Sequence, residues 1–204
     1  MKRLILIGIV FLTSFAVIHI WHRMTRPRWL KCALHTHTTL SDGVLEPDAL
    51  KAAYARRDYD VLAITDHDVD GAGGRYEDML ILPGNEVTQS DHHMVLLGTP
   101  PDQVRILAHP SLNGISPARF RELLREYDGF EIFTGAAAEW GATLSNASTY
   151  RGMTRKPGLA VDDAHGLHHI GAGVTWVYAR PREDSILEAI RRGRVRVETR
   201  ENVK

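Results

Sequence analysis

Leu34-His35-Thr36-His37-Thr38-Thr39-Leu40-Ser41-Asp42-Gly43 is the stretch that decides the fold we predict for this chain. It is typical of a strand that ends in a Ser-Asp-Gly turn. Residues i and i+2 of a strand point to the same face, so His35 and His37 aim two imidazoles at one point, and Asp42 can return a carboxylate toward them. Such a donor set favours a divalent metal site. The alternative is a strand end whose histidines pack or are solvated, and this stretch alone does not choose between the two.

Residues able to bind metal recur at the ends of apolar runs farther along the chain. The runs alternate with helical stretches, including one predicted over 136–144, which is typical of an α/β fold. Four runs end in such residues: His35 and His37, then His67, then His109, and last Asp163 with His165. In parallel α/β barrels the functional residues lie at the carboxyl ends of the strands. The recurrence therefore favours a metal centre.

Five short motifs, in this order, resemble the PHP (polymerase and histidinol phosphatase) family of metal-dependent hydrolases. They are His35-Thr36-His37 with Asp42, Thr65-Asp66-His67, Gly84-Asn85-Glu86-Val87-Thr88 followed by His93, Ala108-His109-Pro110, and Asp163-Ala164-His165. The resemblance extends over residues 30–165 and is closest to small stand-alone hydrolases of the family. A single motif such as Ala-His-Pro is a weak signal, whereas the ordered set is specific.

The resemblance implies an α/β fold, a distorted (β/α)7 barrel, with two or three divalent metal ions at the mouth formed by the carboxyl ends of the strands. By the family pattern the ligands form three groups: His35, His37, Glu86 and Asp163 for one ion, Glu86 with His93 and His109 for a second, and Asp42, His67 and His165 for a third. The connection from Gly98 to Val104 is too short for a crossover helix, so one barrel helix is expected to be missing. Thr134 stands where relatives often have Asn, a departure that bears on substrate recognition rather than on metal binding.

Several polar residues beside the motifs receive no ligand role. His92 competes with His93, but neighbours in a strand face opposite ways, and the spacing from Glu86 favours His93. Three carboxylates are interpreted as supporting or surface groups: Asp66, Asp68 and Asp162. Other residues are interpreted as solvated loop residues, so that no substrate contact is assigned: Arg151, Arg155, Lys156, His168 and His169.

The donor types predict the chemistry of the site. Histidine and carboxylate donors without thiolate suit Mn²⁺, Zn²⁺ or Fe²⁺, and the single cysteine, Cys32, excludes a zinc site built from cysteines. Divalent ions activate water at neutral pH and neutralise charge on a phosphate, so we predict a phosphoesterase that attacks small-molecule or nucleotide phosphate esters with metal-activated water. No side chain beyond the ligands is assigned a catalytic role. Two alternatives stay open: hydrolysis of carboxylic or carbamate esters, and a non-catalytic metal-binding module.

The N-terminal segment differs in kind from the rest of the chain. Residues 4–21 carry no formal charge apart from a possible one on His19, and these eighteen residues reach the minimum length of a membrane-spanning helix. We therefore predict an apolar membrane-anchoring helix within residues 1–29, and a hydrolase domain of residues 30–204 on the extracytoplasmic side. A cleaved signal peptide and a buried core helix are the alternatives, although no small-x-small cleavage site is evident.

The charge distribution excludes one class of partner. Residues 1–29 carry five Lys and Arg and no Asp or Glu, which leaves 20 Lys and Arg against 25 Asp and Glu in residues 30–204. An acidic body does not suit a protein that grips long nucleic acid by its phosphates. The sequence indicates neither the identity of the substrate nor an oligomeric state.

Overall fold

The computed structural model describes residues 25–136 and 150–200 of the 204-residue chain. This part of the chain contains the helices α1 (Pro47–Ala55), α2 (Pro117–Leu123) and α3 (Glu183–Arg191). Its strands are β1 (Arg28–Ala33), β2 (Val61–Ala63), β3 (Gly74–Tyr76), β4 (Met79–Leu82), β5 (Gly84–Thr88), β6 (His93–Leu97), β7 (Val104–Ala108), β8 (Gly129–Thr134), β9 (Gly158–Val161), β10 (Gly173–Ala179) and β11 (Val195–Thr199). The fold is therefore mixed α/β, as predicted.

The strands form two sheets, which corrects the prediction of a distorted (β/α)7 barrel. One sheet has the order β11-β10-β1-β2-β4-β3 and the other has the order β5-β6-β7-β8-β9. The chain passes from the first sheet to the second at Pro83, between β4 and β5, where the proline has no N–H to continue a ladder. Two isolated parallel bridges, Thr36 to Ala164 and His67 to Glu86, join the sheets. No closed barrel is found among the described strands.

The second sheet lacks a crossover helix where the sequence predicts its absence. β5 pairs antiparallel with β6, and β6 pairs antiparallel with β7, so Val95 of β6 lies opposite both Glu86 and Ile106. Antiparallel neighbours need only a short turn, whereas parallel neighbours need a long crossover. The short connection between β6 and β7 is thus a hairpin. The parallel pairs β7–β8 and β8–β9 follow it in the same sheet.

Three buried apolar clusters hold the layers together. The largest draws side chains from both sheets and from α3: Leu30, Val61, Val95, Ile106, Val161, Ile186 and Ile190 are among its members. Leu50 and Tyr54 of α1 pack with Leu62 of the first sheet. Phe120 of α2 packs with Phe130 of the second sheet. The helices therefore cover the sheets while the carboxyl ends of several strands stay available for a site.

Local sequence explains where two of the helices begin. Each has proline in its first turn, where the missing N–H costs nothing: Pro47 in α1 and Pro117 in α2. Ser116 precedes α2, and its side chain accepts a hydrogen bond from the Arg119 N–H at 3.2 Å, which is the geometry of an N-cap.

The membrane prediction is corrected. No helix in residues 25–136 and 150–200 is long and apolar enough to cross a membrane, so the single N-terminal anchor and the membrane localisation are not supported. Residues 4–21, on which that prediction rested, lie outside the described residues. The helix predicted over 136–144 also lies outside them, apart from its first residue. The domain limits at residues 29 and 30 stay a prediction.

Candidate metal centre

Glu86 of β5 lies at the middle of a buried cluster of imidazoles. Its Oε1 is 3.0 Å from Nδ1 of His93 and 2.9 Å from Nε2 of His109. Its Oε2 is 3.0 Å from Nε2 of His35 and 3.2 Å from Nε2 of His37. His93 begins β6 and His109 follows β7, so the antiparallel hairpin brings both rings to the carboxylate. One side chain thereby connects residues from four separate segments of the chain.

Asp163 completes a fully buried group with His35, His37 and Glu86. Its Oδ1 is 3.1 Å from Nε2 of His37 and 3.3 Å from Nε2 of His35. One ligand atom from each of the four residues lies within 4.8 Å of the others. Asp163 follows β9 with a φ of 50°, a left-handed conformation that aspartate adopts more readily than most residues. This turn of the backbone brings the Asp163 carboxylate to the group.

A second group lies at the solvent end of the cluster. Asp42 Oδ2 is 3.2 Å from Nε2 of His165 and 3.6 Å from Nε2 of His67, and Asp42 Oδ1 is 3.4 Å from Nδ1 of His37. The side chains of Asp42, His67 and His165 are 53%, 27% and 20% exposed. Since those of His35 and Glu86 are at most 1% exposed, the cluster opens to solvent at Asp42.

The structure brings all nine predicted ligand residues into one cluster. A third group with ligand atoms close enough to hold an ion consists of His67, Glu86 and His93. His109 joins this group through the oxygen of Glu86 that it shares with His93. The grouping differs from the family pattern in two respects: His37 lies close to both the buried and the solvent-end group, and His67 lies close to both the solvent-end group and the group of Glu86 and His93.

The donors fit a divalent cation. Imidazole nitrogens and carboxylate oxygens without thiolate are the ligands of Mn²⁺, Zn²⁺ and Fe²⁺ sites. Two buried ring nitrogens of the cluster make no hydrogen bond in the described structure: Nδ1 of His67 and Nδ1 of His109. Buried polar atoms of this kind call for a partner, and a metal ion is one that suits lone pairs of both nitrogen and oxygen.

The cluster residues shift one another's pKa values strongly. Burial lowers the pKa of the His35 imidazole, but Glu86, Asp163 and Glu131 outweigh it and raise that pKa well above its ordinary value. Burial also lowers the pKa of His37, and hydrogen bonds to Asp163 and Glu86 raise it to about 9. Conversely, the imidazoles hold the pKa of Glu86 and Asp163 well below the usual range, although burial acts in the opposite direction. The opposite shifts mean that the imidazoles and carboxylates attract one another strongly, and a bound cation would compensate the same carboxylate charge.

Glu131 of β8 is a site residue that the sequence interpretation missed. Its Oε1 is 2.7 Å from Nδ1 of His35, and its Oε2 accepts hydrogen bonds from the His109 N–H at 2.8 Å and the Thr134 hydroxyl at 3.1 Å. A carboxylate on the far nitrogen of a metal-binding histidine fixes the orientation of the ring. The signal was present, because Glu131 is the one charged residue in β8, and buried strands rarely contain an unpaired carboxylate.

Asp66 is a buried support of the turn that bears Asp42. It accepts hydrogen bonds from the Thr38 N–H at 2.6 Å, the Thr38 hydroxyl at 2.7 Å and the Ser41 hydroxyl at 2.8 Å. The carboxylate therefore shapes the turn without pointing at the imidazoles. Asp68, by contrast, is exposed and accepts from the Thr88 N–H at 3.0 Å.

Asp162 supports the other side of the site. It is fully buried and accepts a hydrogen bond from the Tyr54 hydroxyl at 2.8 Å. It also accepts from the N–H groups of Gly171 at 3.1 Å and Gly173 at 2.9 Å. These bonds fix the loop that follows Asp163 against α1.

The two adjacent histidines at the start of β6 face opposite ways. The His93 ring lies at Glu86, whereas Nε2 of His92 is 2.5 Å from the Tyr127 hydroxyl and its Nδ1 is 2.7 Å from Oδ1 of Asp91. Only His93 therefore points into the cluster.

The structure separates the residues interpreted as solvated. His168 is exposed, but His169 is buried and its Nδ1 accepts from the His165 N–H at 3.1 Å, so the solvated interpretation of His169 is wrong. Arg155 and Lys156 line a cavity of about 430 Å³ with Arg191 and Arg192. This cavity lies at the amino end of β9, whereas Asp163 follows the carboxyl end of that strand.

Comparison with known proteins supports the resemblance seen in the motifs. A family model described as PHP-associated (PHP_C) matches residues 146–195. No curated protein matches the chain by sequence.

Several solved structures share the fold. A two-domain protein from Bacteroides vulgatus, which contains a predicted PHP-like metal-dependent phosphoesterase, aligns with a TM-score of 0.68 and 16% identity over 86% of this chain and 66% of its own. PsfC from Pseudomonas syringae aligns with a TM-score of 0.61 and 15% identity over 84% of this chain and 92% of its own. A protein from Bifidobacterium adolescentis, provisionally named a metal-dependent phosphoesterase, aligns with a TM-score of 0.53 and 14% identity over 66% of this chain and 87% of its own.

The chain spans just under two thirds of the Bacteroides protein. At these identities the structural likeness establishes the fold. The PHP-associated match to residues 146–195 and the fold shared with PHP-like proteins agree with the resemblance of the ordered histidine and carboxylate motifs to the PHP family.

Proposed function

We propose that this protein is a metal-dependent hydrolase that cleaves a phosphate ester of a small molecule or nucleotide. The observation that carries the proposal is the convergence of imidazoles and carboxylates from separate strand ends on the two oxygens of Glu86. Related proteins named as metal-dependent phosphoesterases share the fold and add support for this reaction class. The substrate, the choice among Mn²⁺, Zn²⁺ and Fe²⁺, and the number of ions, two or three, belong to the proposal.

The ligand roles that we propose follow the three groups of donors. The assignment is His35, His37, Glu86 and Asp163 for the buried ion, Glu86, His93 and His109 for its neighbour, and Asp42, His67 and His165 for the solvent-end ion. When bound, such ions lower the pKa of water and neutralise charge on the oxygens of an ester.

The chain's own residues orient the reaction. Glu131 fixes the His35 ring, and Asp66 fixes the turn of Asp42, so both ends of the cluster are rigid before substrate arrives. The buried end excludes bulk water, and the ester enters at Asp42. In the hydrolysis the oxygen of water bonds to phosphorus, the bond from phosphorus to the alcohol oxygen breaks, and the alcohol leaves with a proton. No side chain forms a covalent bond to the substrate.

Metal analysis followed by a substrate panel tests this function. Protein purified without added metal is expected to retain a divalent ion, and in that metal to hydrolyse phosphate esters in preference to aryl carboxylic esters. His37→Ala and Asp163→Ala are expected to lose bound metal and hydrolysis together. Asp48→Ala, whose side chain is 88% exposed on α1, is the matched control and is expected to keep both.

Other outcomes identify the alternatives. Preferential hydrolysis of carboxylic or carbamate esters favours the second reaction class. Tight metal binding without hydrolysis of either panel favours a non-catalytic metal-binding module. Retention of metal and activity in both ligand variants contradicts a metal-dependent hydrolase altogether.

A further inference from the structure

The large hydrophobic side chains exposed in the described residues are concentrated beside the solvent end of the metal centre. Three of the four lie there, Leu40 at 60%, Val44 at 72% and Leu167 at 51% exposed, whereas the fourth, Tyr178 at 42%, lies on β10. Leu40 and Val44 lie two residues before and two residues after Asp42, and Leu167 lies two residues after His165. Single exposed hydrophobics are ordinary, but a group of them around one opening is typical of a binding surface.

Backbone contacts hold these three residues on neighbouring, well-defined loops. The Val44 N–H donates to the His165 carbonyl at 2.9 Å, which aligns the loop of Asp42 with the loop of His165. Leu40 N–H donates to the Thr38 hydroxyl at 3.2 Å. A Cβ on Gly166 would lie 3.6 Å from Cγ2 of Val44, so Val44 reaches the segment that carries Leu167. The side chains are therefore presented by rigid backbone.

The exposed ligands mark an opening that extends from Asp42 to His67 and His93, whose side chains are 27% and 30% exposed, and the rim lies at its Asp42 side. The Asp42 side chain is 53% exposed, whereas the side chains of His35 and His37 are not exposed. Asp42 is the most exposed of these ligands, and Leu40 and Val44 lie on either side of it along the chain, so an ester bound at this side of the opening lies beside them.

The connections that carry the ligands are poor in cationic side chains. The described connections 38–46, 64–73, 89–92, 109–116 and 162–172 contain no lysine or arginine, although Arg119 is paired with Asp91 of one of them and Arg151 follows Tyr150, whose hydroxyl donates to the Ile115 carbonyl. Arg200 reaches this end, but its guanidinium donates to the carbonyl oxygens of His168 and Ile170. Sites for nucleoside di- and triphosphates hold the extra phosphates with such cations. Among the described ligand-bearing connections themselves, the cationic charge for a phosphoryl group would come from metal at the cluster.

We propose that Leu40, Val44 and Leu167 form an apolar rim that binds the alcohol portion of the substrate. This inference rests on the proposed function and narrows it. The substrate is a monophosphate ester whose alcohol presents an alkyl or aryl surface. The phosphoryl group lies at the metal ligands, and the alcohol lies against the rim.

Benzyl phosphate and methyl phosphate test the rim, because their leaving alcohols are chemically alike and differ in apolar surface. The metal-loaded full chain is expected to show a higher kcat/KM for benzyl phosphate, chiefly through KM. Leu40→Ser, Val44→Thr and Leu167→Ser are each expected to lower the benzyl-to-methyl ratio of kcat/KM by about 10-fold. Tyr178→Ser is the matched control, since this exposed aromatic lies on β10 and pairs with Trp29, and it is expected to leave the ratio unchanged.

A binding measurement gives a readout that does not depend on turnover. Benzylphosphonate is expected to bind the metal-loaded protein more tightly than methylphosphonate by calorimetry, and the rim variants are expected to remove that difference while retaining metal. Equal binding of the two phosphonates, a ratio unchanged in all three variants, or stronger competition by ADP than by benzylphosphonate overturns the rim. The proposal is also overturned if the rim mediates self-association. In that case the rim variants dissociate an oligomer in sedimentation but leave the benzyl-to-methyl ratio of kcat/KM unchanged. Hydrolysis of neither ester with metal bound overturns the proposed function as well.

Discussion

Glu131 controls two ligands of the cluster through one carboxylate. One oxygen lies at the His35 ring and the other accepts the backbone N–H of His109. Because Glu131 is 3% exposed, no water replaces these contacts if the carboxylate is altered. Glu131 therefore links the position of β8 to the orientation of His35, which follows β1, and of His109, which follows β7.

Glu131→Gln is expected to weaken metal binding by about 10- to 100-fold, the range found when groups that support metal ligands are removed. The amide has the size of the carboxylate but carries no charge and offers one acceptor in place of two, so it cannot hold both histidines. Competition with a fluorescent chelator measures the affinity. Glu126→Gln, an exposed substitution on the connection after α2, serves as the control. Unchanged affinity in Glu131→Gln would contradict the positioning role.

The sequence predicted the ligand residues of the cluster better than the residues that hydrogen-bond to them and hold them in place. Ligands follow apolar runs in motifs with fixed spacing, and such local patterns are visible in one dimension. Glu131 lies within a strand, and its partners His35 and His109 are far from it in the chain. Charge in a buried strand signals that a partner exists but does not say which one. The same limit explains His169, whose burial depends on a turn that packs it beneath His165.

The loop that follows β1 is shaped by close backbone approach. A Cβ on Gly43 would lie 2.5 Å from the carbonyl carbon and oxygen of His37, closer than real Cβ atoms come. The Gly43 N–H also donates to the Thr38 carbonyl at 3.0 Å. Glycine is therefore required here by space, and the adjacent Asp42 depends on the same turn.

Gly43→Ala is expected to destabilise the fold by roughly 1–3 kcal/mol, as overpacking against rigid backbone does. It is also expected to weaken metal binding at the solvent-end group, because the added methyl displaces the turn that carries Asp42. Chemical denaturation and metal titration measure the two effects. Gly152→Ala is the matched control, since a Cβ there meets nothing within 4 Å, and it is expected to change neither. A Gly43→Ala protein with native stability and full metal content would refute this account of the turn.

Elements were predicted best where the pattern is local. The apolar runs correspond to strands, and the Ser-Pro pair before α2 marks its start. The apolar pattern does not indicate the antiparallel pairing of β5, β6 and β7, because buried strands of either orientation contain similar residues. Only the short connection between β6 and β7 pointed to a departure from regular β/α alternation.

The two sheets are joined by isolated bridges, not by a continuous ladder, at the end that carries the cluster. The isolated bridges Thr36 to Ala164 and His67 to Glu86 link them there, and ligands lie at or beside each bridge. Barrel closure could not be predicted from the sequence, because whether neighbouring strand ends form a continuous ladder or a single bridge depends on three-dimensional register. His35 and His37 follow β1 of one sheet, while Glu86 belongs to β5 of the other. An ion held by these residues would therefore connect the two sheets beside the bridges.

This arrangement predicts that metal stabilises the whole fold and not just the local site. Ligand at 100 times its Kd adds about 2.7 kcal/mol to the free energy of unfolding. For a chain of 204 residues that gain corresponds to an increase of roughly 5–10 °C in Tm. Differential scanning calorimetry of chelator-treated protein, before and after addition of Mn²⁺ or Zn²⁺, measures the shift. Asp163→Ala is expected to lose most of the increase, because it removes a buried donor shared with both histidines after β1. An equal increase in Tm in the parent protein and the variant would mean that the ion binds elsewhere. The cluster would then not contribute to the stability of the two sheets.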